Sequence, residues 1–185
     1  GSLGASGDLA PLAHGALALL GEGQVFYADA WRPAAEALDA AGLAPISLVE
    51  KEGLAVTNGT DAILGMLCLA IDDSARLLQQ ADMVTAITVE GLLATDGPFA
   101  ADLQALRPQP GQAISAANLR ALLNDSPIVA SHKIDDSRVQ DAYSVRCTPA
   151  VHGAARDTLD HVRRVAGHEL ASAIDNPMVL PDGRV

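Results

Sequence analysis

The sequence predicts an all-α protein, a bundle of long helices with only minor short β pieces. Three observations carry this. Apolar residues make up 49% of the chain and aromatic residues only 3%, with Ala and Leu dominant, which favours helix over sheet. Two stretches, 60–94 and 151–173, keep apolar positions at near-3.6 spacing over many turns. Gly, Pro and Asn-Gly signals punctuate the remainder. At 185 residues the chain is long enough for one ordinary domain with a sizeable core.

Each element follows from local chemistry. Asp8 to Leu20 reads as a helix, capped by Ser6 or Asp8, with Pro11 in its first turn and Gly21-Glu22-Gly23 at its end. Gln24 to Ala28 is a short β-like piece around Val25, Phe26 and Tyr27. Pro33 starts a helix that reaches Ala41 and stops at Gly42. Asn58-Gly59 marks a turn. From Thr60 or Asp61 a helix runs to about Ala94. Leu64, Leu67, Ile71, Ala75, Leu78, Thr85, Val89 and Leu92 lie along one side, and Asp72 and Arg76 form an i,i+4 pair. Thr95-Asp96-Gly97-Pro98 breaks it. Arg107 to Gly111 is a rigid connector before a helix from about Ser115 to Leu123, and Asn124 to Ser137 reads as a loop. A last helix covers roughly Val151 to Ala173, with Val151, Ala155, Leu159, Val162, Ala166, Leu170 and Ala173 on one face. Asp175-Asn176-Pro177 ends it. These stripes exceed what 185 residues bury internally, which points to further chain or to an oligomer.

Composition excludes several classes of function. The net charge is −11 and no basic block exists, so neither nucleic acid nor an anionic membrane surface is an expected partner. Cys68 and Cys147 stand apart, and the five histidines lack ligand spacing, so neither a disulfide scaffold nor a metal is expected. The longest apolar run, Ala62 to Ile71, is about half of the roughly 20 residues a membrane span needs. A reducing cytoplasm fits this pattern. The sequence opens on Gly1-Ser2 rather than methionine and reads as an internal segment.

Three stretches carry the chemistry. The first is Ala5-Ser6-Gly7. Gly7 has no Cβ, so its nitrogen can approach a preceding carbonyl closely; Ala5 leaves that carbonyl open; the Ser6 hydroxyl can leave as water. Attack of the Gly7 nitrogen on the Ala5 carbonyl, with loss of two waters, gives a 4-methylidene-imidazol-5-one, an electrophile no ordinary side chain supplies. The same residues also suit a plain helix start. The second stretch is Lys51 to Thr60, where Asn58 is either a turn former or a site amide. The third is Gln140 to Cys147. Gln140, Tyr143 and Arg146 recur every third residue, so a helical turn would put them on one side, and Arg suits two-bond capture of a carboxylate. An amphipathic surface with one exposed Tyr satisfies the same pattern.

Taken together, Gly4 to His14, Lys51 to Thr60 and Gln140 to Pro149 resemble, in order and spacing, the three signatures of the aromatic amino acid ammonia-lyases. Arg107-Pro108-Gln109-Pro110-Gly111-Gln112 and Asp175-Asn176-Pro177 match as well, so the resemblance covers essentially the whole chain. Leu12-Ala13-His14 and Tyr143 to Cys147 are most similar to the branch acting on L-histidine, rather than on phenylalanine or tyrosine.

The resemblance implies the long-helix fold shared with fumarase and aspartase, and elimination of ammonia from L-histidine to give trans-urocanate. It implies that Ala5, Ser6 and Gly7 become the methylidene-imidazolone, with no metal. Arg146 would then hold the substrate carboxylate, Asn58 would bond near that carboxylate and the ring, Gln140 would bond the ring oxygen, and Tyr143 would tune proton transfer. Residues 1–60 would form the cofactor and active-site loop region, and 61–185 the helical core. The family implies a homotetramer whose sites are shared between subunits. Its tyrosine base falls before residue 1 and a substrate-contacting glutamate after residue 185, so these residues alone are expected to be inactive. Ala150 departs from the glutamine usual after the proline of the third signature. A phenylalanine or tyrosine ammonia-lyase or an aminomutase of the same family, and a non-catalytic helical assembly module, are the other readings.

Overall fold

The computed structural model describes Leu3, Gly4 and residues 6–185. It resolves into two compact units: residues up to Cys68 together with 168–185, and residues 69–167. The fold is helical with one two-stranded sheet, as the composition predicts.

The first unit contains α1 (Leu9–Leu19), a hairpin of β1 (Gln24–Tyr27) and β2 (Ala30–Pro33), α2 (Ala34–Ala40), α3 (Glu52–Ala55) and the first turns of α4 (Asp61–Gly91). Both expected glycine stops are Schellman ends. Gly21 (φ +81°) follows α1 and the Glu22 N–H reaches the Leu17 carbonyl at 2.9 Å; Gly42 (φ +70°) follows α2 and the Leu43 N–H reaches Leu38 at 2.9 Å. β2 was not expected from the sequence. It pairs antiparallel with β1, Val25 opposite Arg32 and Phe26 opposite Trp31, through a two-residue turn at Ala28-Asp29 with both φ positive. That turn ordinarily calls for Asn-Gly, so the usual hairpin signal is missing. The edge-to-face contact of Phe26 with Trp31, ring centres 5.8 Å apart, holds the strands instead. Pro33 still precedes α2, as expected, now also as the last residue of β2.

The second unit contains the rest of α4, a 3-10 turn at Gly97–Phe99, α5 (Ala101–Ala105), α6 (Pro110–Leu122), α7 (Pro127–Ser131), α8 (Tyr143–Arg146) and α9 (Thr148–Leu170) as far as Gly167. Ala86, Val89, Ala94, Phe99, Leu119, Leu123, Val129 and Val145 form its core. The helix expected from Ser115 begins earlier, with Pro110 in its first turn. Its Gly111 N–H donates to the Asp157 carboxylate of α9 at 2.9 Å. Here Gly111 lies directly on Gly153, so that a Cβ on either would overlap the other helix's backbone. α7 interrupts the expected 124–137 loop; Ser126 caps it, accepting from the Val129 N–H at 3.2 Å, and Pro127 occupies its first position.

The apolar stripe expected on the last helix is its buried face only in part. Ala166 is buried as expected, but Val151 and Leu170 are exposed, and Pro149 and Gly153, outside the stripe, are buried. The close Gly111–Gly153 contact turns the 149–153–156 side toward α6 and α4. Ala155, Leu159 and Val162 instead line an open apolar groove with Leu77 and Leu78 of α4. The stripe along α4 also hides a polar residue. Leu64 and Val89 are buried as expected, but so is Asp82, which fills the turn between Leu78 and Thr85. Among the described residues no helix is long and apolar enough to cross a membrane.

Candidate active site

In the first unit, Ser6 and Gly7 occupy an exposed turn immediately before α1; Ala5 lies outside the described residues. The turn has a specific anchor. Asp8, 3% exposed, occupies the N-cap position of α1 but makes no side-chain cap; its carboxylate accepts the Leu3 N–H. The Gly7 carbonyl accepts the Leu9 N–H at 2.8 Å, and the space where a Gly7 Cβ would stand is open.

Asn58 lies in the loop between α3 and α4. Its amide donates to the Asn176 carbonyl at 3.2 Å. Nearby, Lys51 (φ +66°) pairs with Asp175, and its ammonium draws the Asp175 carboxyl below the usual carboxylate range. Gly59 is buried at φ +152°, where a Cβ would come within 2.5 Å of Asp61. The Thr60 hydroxyl donates to Glu169 at 3.3 Å. The second signature is therefore tied to 169–176 by side chains at both its ends and at Asn58. Asp175-Asn176-Pro177 is recognisable in the sequence as a motif, but not as the partner of the second signature. The distance of 124 positions between Lys51 and Asp175 explains why: no local periodicity links them.

In the second unit, Gln140 precedes α8 and lies outside any helix, so the three-residue repeat is not one helical turn; only Tyr143 and Arg146 share the helix. Tyr143 is 72% exposed, and the Arg146 guanidinium carbon lies 5.4 Å from its ring centre. Arg146 is half-buried and donates from Nε to the Asp141 carbonyl at 2.9 Å. Gln140 lines a cleft of about 170 Å³ with Thr95, His132, Arg138 and Asp141. Asp141 lies within the third signature, and its residue type alone gives it no role there. Its carboxylate accepts the Thr95 N–H at 2.8 Å, just beyond α4. Arg138 donates to the carbonyls of Leu92, at 3.0 Å, and Leu93, and binds Asp136 through Nε and Nη2. The bonds to Arg138 lower the Asp136 carboxyl to about 2, and Asp136 in turn raises Arg138. Ala150 is exposed on the first turn of α9. Among the described residues no three His, Cys, Asp or Glu side chains gather as a metal site.

Comparison with known proteins gives a consistent result. The family model for aromatic amino acid lyase matches residues 1–185. A histidine ammonia-lyase of Streptomyces griseus is 57% identical over this whole chain, which covers 36% of that protein. A probable histidine ammonia-lyase of Halobacterium salinarum is 51% identical, again over the whole chain and 35% of its own length. The chain thus spans about a third of the curated relatives it matches. Among solved structures, a tyrosine aminomutase from Streptomyces globisporus superimposes with a TM-score of 0.82 at 38% identity, covering 100% of this chain and 38% of that one. Histidine ammonia-lyase from Trypanosoma cruzi gives 0.77 at 38% identity, covering 98% and 33%.

Proposed function

The chain belongs to the aromatic amino acid lyase family, and from that premise we propose that it supplies the cofactor-forming part of an ammonia-lyase converting L-histidine to trans-urocanate and ammonia. The observation that carries the reading is the joint presence of the three signatures in a chain 57% identical to a histidine ammonia-lyase. Residues 1–60 bring the cofactor turn and Asn58; residues 61–185 bring the helical core with Gln140, Tyr143 and Arg146.

The methylidene-imidazolone formed from Ala5-Ser6-Gly7 supplies an electrophilic carbon that ordinary side chains lack. The chain's own residues do the rest. Arg146 holds the substrate carboxylate by paired charge-assisted bonds. Asn58, one of whose two Nδ2 hydrogens goes to the Asn176 carbonyl, keeps the other to donate near that carboxylate and the cofactor. Gln140 donates to the cofactor oxygen and stabilises charge that develops there. Tyr143 tunes proton transfer during elimination. A homotetramer with shared sites suits the open apolar groove between α4 and α9.

Ammonia release by the intact protein tests the reading, with L-histidine, L-phenylalanine and L-tyrosine compared directly. L-Histidine is expected to react much the fastest. Preference for tyrosine, or formation of a β-amino acid, would move the assignment to another member of the family. The likeness to the S. globisporus tyrosine aminomutase makes that comparison informative.

A further inference from the structure

We propose that Asp141 is a positioning residue for Arg146, presenting its guanidinium end-on to the substrate carboxylate. The inference rests on the reading of Arg146 as the carboxylate-binding residue. Arg146 can meet a carboxylate in two ways, through Nε and one terminal nitrogen or through both terminal nitrogens. The Asp141 carbonyl already takes Nε at 2.9 Å. Both terminal nitrogens have no protein acceptor among the described residues. The side-on approach is therefore blocked and the end-on fork is left open.

Asp141 is itself firmly held. Its side chain is 6% exposed and accepts the Thr95 N–H at 2.8 Å, while Arg138 faces it at 3.6 Å. Arg138 in turn binds the Leu92 and Leu93 carbonyls at the end of α4. The His132 ring bonds the next carbonyl, Ala94, at 3.3 Å. A rigid helix end thus fixes Asp141, and Asp141 fixes the guanidinium plane. Without this anchor, the Asp141 carbonyl and the Arg146 guanidinium it holds lose their constraint. A misplacement of about 1 Å in a bound group costs up to roughly a hundredfold in rate.

The test uses the intact enzyme and two unreactive ligands. Imidazolepropionate keeps the carboxylate; histamine keeps the imidazole and amine but lacks it. Arg146→Lys is the reference: it is expected to weaken L-histidine and imidazolepropionate, with histamine unchanged. Asp141→Ala is expected to reproduce that selectivity, with a roughly ten- to hundredfold rise in the KM for L-histidine and in the inhibition constant of imidazolepropionate. In Asp141→Ala/Arg146→Lys no loss beyond that of Arg146→Lys is expected. Asp141→Asn keeps an acceptor for Thr95 and Arg138→Gln keeps Asp141 itself; both are expected to show the same selectivity at smaller size, and they carry the test where the alanine variant fails to fold. Equal weakening of both ligands, or of neither, in the Asp141 and Arg138 variants would overturn the proposal while Arg146→Lys remains selective. An unselective Arg146→Lys would instead remove the carboxylate reading of Arg146, and the proposal with it.

Discussion

Arg156 of α9 donates to Asp82 of α4 at 2.6 Å, and the carboxylate it meets is 1% exposed. The same carboxylate accepts from Asn118 at 2.7 Å and bonds His152 at 2.8 Å, while Arg156 also reaches Ser115 at 2.9 Å and the Leu78 carbonyl at 3.0 Å. Three helices meet on this one acid. Asp82→Ala leaves the half-buried Arg156 guanidinium without its counter-charge. The expected cost is about 3–5 kcal/mol in denaturant unfolding. The double change Asp82→Leu with Arg156→Leu is expected to cost less than Asp82→Ala, because it removes both charges together. A cost equal to the sum of the two single changes would show that Asp82 and Arg156 contribute independently rather than as a pair.

Gly153→Ala tests the backbone contact between α6 and α9. The new methyl would overlap the Gly111-Gln112 backbone, and no flexible side chain is there to yield. Unfolding should shift by roughly 1–3 kcal/mol. Gly167→Ala, on the same helix with open space around it, is the control and should be neutral or slightly stabilising.

The Lys51–Asp175 pair gives a pH dependence of definite sign. The Asp175 carboxyl lies below its ordinary value of 3.8, chiefly through its bond to Lys51. A group lowered in the folded state stabilises it above the unfolded value and loses that contribution as pH falls through the folded one. The melting temperature of the parent should therefore fall more steeply than that of Asp175→Asn between about pH 5 and pH 2. Asp136, lowered to about 2 by Arg138, titrates in the same window in both proteins and cancels in the comparison. Parallel curves would show that the pair has no net effect in solution.

Ser6→Ala removes the hydroxyl that has to leave for the methylidene to form. Turnover by the intact enzyme should be nearly abolished while unfolding stays within about 0.5 kcal/mol, since Ser6 is exposed. Mass spectrometry should find the parent peptide containing residues 5–7 lighter by two waters. An active parent with an unmodified peptide would rule out cyclisation.

The helices and their ends were legible because their causes are local. Asp61–Gly91 and Thr148–Leu170 follow from apolar periodicity, and the stops at Gly21 and Gly42 from the need for a positive φ. β2 was hidden because its turn uses Ala28-Asp29, and α3 because its four residues have no side-chain cap and fall in a stretch marked by Gly53 and Asn58-Gly59. Asp82 was legible in principle: helical spacing places it on the apolar face.

The sequence by itself determined the fold class, the tripeptide, and the order of the three signatures, since these depend on residue type and short spacing. Only the tertiary structure decided that Lys51 meets Asp175, that Asn58 bonds Asn176, and that Asp141 joins the end of α4 to Arg146. The physical reason is range. Helix periodicity and caps act within about four residues along the chain. The bonds that orient side chains at the candidate site join residues up to 124 positions apart, and only packing brings such partners within hydrogen-bond distance.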